Sequence, residues 1–94
     1  TLVVNNNSGF GQGWPNFKRS AGNRPGAAEE ILRFGPTDFT AVARSFGLNG
    51  IRVERPEDIG PALRKAMASP ETVVVDVVTD IEARAPAPWA PEGA

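Results

Sequence analysis

After an apolar stretch, Leu2-Val3-Val4, the chain runs Asn5-Asn6-Asn7-Ser8-Gly9-Phe10-Gly11. Amide side chains and peptide carbonyls are neutral oxygen donors of the kind a hard cation such as Mg²⁺ accepts. Small residues let a ligand come close to the backbone. Mg²⁺ commonly joins protein oxygens to phosphate oxygens, so a metal-bridged diphosphate suits this turn chemically. An Asn-rich turn after a strand also serves purely structural ends, and the turn alone does not decide between the two. The sequence has no histidine and no cysteine. That removes the commonest general base, the commonest metal ligand and any thiolate or disulfide chemistry. Ser8 has no histidine to activate it, and the carboxylates are scattered along expected helix starts, where the helix dipole accounts for them. We therefore expect no catalytic residue in this chain, and any reaction must lean on a borrowed cofactor.

The elements that must position the turn are legible in outline. Residues 1–5 read as a short buried strand beginning at the first residue, as if cut from a larger sheet. Residues 10–36 read as a long irregular loop, with one short helical turn allowed over 27–32. Thr37 is placed to cap a helix whose apolar face is Phe39, Val42, Ala43 and Phe46, stopped by Gly47. Gly50 to Glu54 alternates like a strand. Pro56-Glu57-Asp58 opens a second helix with Ile59, Leu63, Ala66 and Met67 on one face. Pro61 fits there only within the first turn. Residues 72–78 form the strongest strand, and 81–94 reads as an extended Pro/Ala-rich tail carrying Trp89.

Strand, loop, helix, strand, helix, strand is the order of an α/β fold with a parallel sheet and helices on both faces. Two helices are few for covering both faces, so an incomplete portion of a domain is expected. In such sheets ligands bind beyond the carboxyl ends of the strands, where the Asn-rich turn falls.

The text Val3-Val4-Asn5-Asn6-Asn7-Ser8-Gly9-Phe10-Gly11 resembles the closing half of the thiamine diphosphate motif. That motif opens with Gly-Asp-Gly and ends about thirty residues later in an apolar strand and Asn-Asn. Asp38-Phe39 with Ala43, Phe46 and Gly47 is similar to the family's next helix. Arg52-Val53, Pro56-Glu57-Asp58, Ala62-Leu63 and Ala66 follow its pattern, and Pro70 with Val73-Val74-Val75-Asp76-Val77 resembles its final strand. The resemblance covers most of the chain except residues 12–36 and the tail. It points to the diphosphate-binding domain of an acetolactate-synthase-like enzyme, over residues 1–80.

The resemblance implies thiamine diphosphate and Mg²⁺ as cofactors. Asn7 would give its side-chain oxygen and Gly9 its main-chain carbonyl to the metal, with Asn6, Ser8, Phe10 and Gly11 completing the cofactor turn. Of the three asparagines, the pair Asn6-Asn7 fits the spacing to Gly9 and Gly11. Gln12 and Trp14 are substrate-side candidates, Trp14 being equally suited to anchoring the loop. Lys18, Arg19 and Arg24 read as a solvated face. The Gly-Asp-Gly half and the glutamate of the pyrimidine-binding domain are absent from this sequence. The resemblance thus implies partners in the rest of the enzyme, a homodimer or homotetramer, a 2-oxo acid substrate, decarboxylation or carboligation, and no activity from this chain alone.

Charge and hydropathy set further bounds. Ten basic residues against eleven acidic ones leave a net charge of −1, without the basic excess that phosphate-backbone binding needs, so no nucleic-acid partner is expected. The longest apolar run, 73–78, is broken by Asp76 and falls far short of a membrane span, and a cytoplasmic setting is expected. Gly9-Phe10-Gly11-Gln12-Gly13 is one residue short of a dinucleotide-binding fingerprint, and Trp14-Pro15 is not expected to open the helix that fingerprint requires. The competing class is a non-enzymatic α/β interaction or regulatory domain with a structural Asn-rich turn.

Overall fold

The computed structural model describes residues 1–20, 22, 27–83 and 93. Three parallel strands, β1 (Leu2–Asn6), β2 (Asn49–Val53) and β3 (Val73–Val78), form one sheet in the order β1-β3-β2. The long valine strand takes the centre because only a central strand is covered on both sides; its first four residues are all buried. Asp76 lies between Val4 on one side and Arg52 on the other.

The helices are numbered in chain order: α1 (Trp14–Ser20), α2 (Ala27–Leu32), α3 (Phe39–Ser45) and α4 (Ile59–Ala68), the last preceded by a 3₁₀ turn over Pro56–Asp58. Strand alternation sends Val73, Val75 and Val53 to one face, where Ala62 and Ala66 of α4 close the core with Ile51, Ile59, Leu63 and Val77 at its margin. On the other face α3 lies against β2 and β3. It comes so near that a Cβ on Gly50 would stand 2.8 Å from both Cα and Cβ of Thr40. The expected parallel sheet with helices on both faces is present.

Several local expectations are corrected. The 10–36 segment is not an irregular loop throughout, since α1 and α2 both lie within it. Pro15, the second residue of α1, occupies a position whose N–H has no intrahelical partner, so it starts the helix instead of preventing it. The cap of α3 is Asp38, not Thr37: the Asp38 carboxylate accepts from the N–H groups of both Thr40 and Ala41, which a hydroxyl satisfies less well. Phe46 and Met67, expected on the apolar faces of their helices, are 78% and 77% exposed. The close approach of α3 to Gly50 selects Thr40 and Ala43 for the interior instead. Among the described strands β1 lies at the edge of the sheet, and Leu2 and Val3, expected to be buried, are more than half exposed there. Gly47 does stop α3, with φ +76°, and Pro61 is the third residue of α4, as its missing N–H requires. Most of the 81–94 tail, including Trp89, and Arg24 lie outside the described residues.

Candidate functional site

The three asparagines part company at the end of β1. Asn5 accepts at Oδ1 from the Thr79 hydroxyl, 2.6 Å away. Asn6 is buried, and its Nδ2 donates to Asp76 Oδ1 (2.9 Å) and to the Thr37 carbonyl (2.8 Å). Its own carbonyl accepts from the Thr79 N–H at 2.9 Å. Asn7 lies just past the strand, and its Oδ1 accepts from the Gly9 N–H at 3.1 Å, closing a turn over Ser8. Ser8 is the one described non-glycine residue at positive φ, +57°. Such backbone is costly for a side-chain-bearing residue and concentrates at functional sites.

Gly9 is fixed by crowding. A Cβ there would stand 2.5 Å from the Leu32 carbonyl oxygen and 2.6 Å from Ile81 Cδ1. The chain pairs with Arg33 at this point, through Phe10 N–H to Leu32 O (2.8 Å) and Phe34 N–H to Ser8 O (3.0 Å). Gly11 is buried, with Asn7 Nδ2 and Ile81 occupying the space its Cβ would take. Phe10 is exposed and meets Phe34 edge-on at 5.7 Å, and Gln12 is exposed. Trp14 is only 3% exposed. Its indole N–H donates to Glu82 Oε1 at 2.7 Å, and Lys18 and Arg33 both lie over its ring within 6 Å. The indole thus ties α1 to the segment following β3. A helix does open at Trp14, against expectation, but the glycine spacing of a dinucleotide fingerprint is still not met.

The donor set suits Mg²⁺ and a diphosphate. The Gly9 carbonyl accepts no hydrogen bond among the described residues. Asn7 Oδ1 spends one lone pair on Gly9 N–H and retains another. Among the described residues no three carboxylates gather as an alternative cation site. A cleft of about 360 Å³ lies at the opposite end of the strands beside Arg44, Asn49, Lys65 and Ser69. Its two cations sit towards helix C-termini, where the helix dipole accounts for them.

Two acids that no site motif marks, Asp76 and Asp38, organise the surroundings. Asp76 is fully buried in β3 and accepts from Asn6, from the Phe39 N–H (3.0 Å) and from Arg52 Nη1 (3.1 Å). A lone carboxylate inside a valine strand was itself the signal, because a buried charge demands partners. Asp38 titrates below the usual aspartate range, chiefly because the Thr40 hydroxyl donates to it and then because the Ala41 N–H does. Arg52 is held more firmly protonated, first by its hydrogen bond to Glu54 and also by the charge of Asp76, against some desolvation.

The family model for the thiamine pyrophosphate enzyme C-terminal TPP-binding domain matches residues 1–77. The chain belongs to that family. Thiamine pyrophosphate is the thiamine diphosphate named above, and the Asn turn with all of the sheet but Val78, the last residue of β3, falls inside the match. Among its relatives is the Bacillus subtilis acetolactate synthase, 40% identical over 47 residues, which span 50% of this chain and 8% of that protein. Another is the putative thiamine pyrophosphate-containing protein YdaP of the same organism, 31% identical over 78 residues, 83% of this chain and 13% of that protein. This thiamine-pyrophosphate-binding domain thus matches a small part of each relative's length. No solved structure matches it significantly. Among the described residues no helix is long and apolar enough to cross a membrane.

Proposed function

We propose that this domain supplies the Asn-Asn half of an Mg²⁺–diphosphate site in an acetolactate-synthase-like enzyme that decarboxylates a 2-oxo acid and joins the product to a second carbonyl compound. The observation that carries the reading is the Asn7–Ser8–Gly9 turn. It offers one amide oxygen and one uncommitted carbonyl at the carboxyl end of a parallel strand, within a chain of the thiamine pyrophosphate family. Asn7 Oδ1 and the Gly9 carbonyl would hold the cation, and neutral donors suit a site whose negative charge comes from the diphosphate. Asn6 would serve as the anchored foot of the turn, since both its amide hydrogens point into the protein. Ser8, Phe10 and Gly11 would shape the wall, and Phe10 and Gln12, both exposed, would face the substrate side. Trp14 would hold that wall in place from within. The bound cofactor would supply the electron sink for the carbanion left by loss of CO₂.

The remaining ligands and the group that activates the cofactor would come from the rest of the enzyme, in a homodimer or homotetramer working in the cytoplasm, and this chain alone would be inactive. Membership of the family favours this reading over a non-enzymatic interaction domain. The test is thiamine diphosphate binding to the full-length protein, titrated with and without Mg²⁺, followed by CO₂ release from pyruvate. Metal-dependent binding that Asn7→Ala weakens by tenfold or more supports the assignment. Binding that ignores both the metal and Asn7 would refute it.

A further inference from the structure

Asp76 is the only carboxylate among the described residues with no exposed surface, and it stands in a strand otherwise made of valine. Replacing a whole buried ion pair such as Asp76–Arg52 by apolar side chains is often neutral or stabilising, so stability alone gives a poor account of a charge at this place. Its three donors belong to three different elements: Asn6 at the end of β1, the first N–H of α3, and Arg52 of β2. Asn6 is the residue on which those contacts bear functionally. With Nδ2 shared between Asp76 and Thr37 O and its carbonyl on Thr79 N–H, neither its amide nor its peptide can rotate without breaking bonds. Asn7 therefore starts from a fixed point, and its turn onto Gly9 follows.

We propose that Asp76 is a positioning residue for the metal–diphosphate site: through Asn6 it sets where Asn7 Oδ1 and the Gly9 carbonyl stand. This rests on the reading that the turn binds Mg²⁺ and thiamine diphosphate. Partners that orient metal ligands typically change metal affinity by about 10–100-fold when removed. Asp76→Asn keeps the shape but accepts on one side only, so at least one of the three donors loses its acceptor.

The experiment uses the full-length enzyme with saturating thiamine diphosphate and Mn²⁺ in place of Mg²⁺, the bound metal being read by electron paramagnetic resonance. Asn7→Ala reports on the site itself. Val75→Ala, next in the strand and turned to the α4 face, lowers stability without touching the turn. The expected result is a Kd for Mn²⁺ weakened roughly tenfold or more by Asp76→Asn and unchanged by Val75→Ala, whose melting temperature falls. Should wild type hold Mn²⁺ no better with cofactor than without, and Asn7→Ala match it, the site reading fails and the proposal with it. A loss in Asn7→Ala beside wild-type affinity in Asp76→Asn overturns the proposal alone. Equal losses in Asp76→Asn and Val75→Ala also overturn it, by reducing the effect to general destabilisation. If Asp76→Asn does not fold, Asn6→Ala cuts the same tether while leaving Asp76 to Phe39 and Arg52. Weakened Mn²⁺ binding there upholds the proposal, and wild-type binding overturns it.

Discussion

Adding a single methyl group at Gly9 tests how the candidate turn is held. An alanine Cβ would come within 2.5 Å of the Leu32 oxygen and 2.6 Å of Ile81 Cδ1, against an ordinary contact of about 3.5 Å. The oxygen belongs to backbone, and Ile81 is 3% exposed, so neither can swing aside. Absorbing the overlap costs about 1–3 kcal/mol. The other escape is to part the chain from residues 32–34, forfeiting the Phe10–Leu32 and Phe34–Ser8 bonds at about 1 kcal/mol each. Both routes give about 2 kcal/mol, which is roughly a thirtyfold change in a local opening equilibrium. Hydrogen exchange on the full-length protein, read at the Phe10 and Phe34 amides, should accelerate by about that factor in Gly9→Ala. Gly35→Ala is the control, because nothing lies within 4 Å of a Cβ there. Unchanged exchange in Gly9→Ala, or equal acceleration in both variants, would refute the crowding argument and the pairing of the turn with Arg33.

Gly50→Ala should push α3 off the sheet, because its Cβ would meet Thr40 Cα and Cβ at 2.8 Å; a loss of about 1–3 kcal/mol is expected in chemical denaturation. Asp38 is titrated below its usual value by the Thr40 and Ala41 donors, so its share of stability is complete above about pH 4 and lost as pH falls through its lower folded-state value. Acid melts of Asp38→Asn should therefore fall less steeply than those of wild type below that pH, and parallel curves would contradict the capping role.

Periodicity and turn chemistry were enough to place the three strands and the two helices that cover the sheet, since those depend on local pattern. What escaped depended on distant partners. Phe46 and Met67 match an apolar helical stripe, but what lies inside is decided by how close α3 comes to Gly50 and by which small residues of α4 reach β3. Helix α1 is hidden in the sequence by Pro15 and the glycines before it, although a proline in the first turn is compatible with a helix. The Asn turn was legible as a candidate ligand site only through its resemblance to the family motif, since its residue types alone suit a structural turn equally. The roles of its three asparagines were not legible, because Thr79, Asp76 and Thr37, which tell them apart, stand more than thirty positions away in sequence.

That separation bears on the order of assembly. Asn6 and Asp76 are 70 positions apart, Trp14 and Glu82 68, and Asn5 and Thr79 74. Contacts of such span close late, because loop entropy is spent before they repay it. During synthesis, the residues that hold the turn leave the ribosome only after everything between has been made. Strand β1 therefore acquires the contacts that hold its turn only once β3 has been made. A chain interrupted before residue 76 would carry the complete Asn motif and still lack the contacts that shape it.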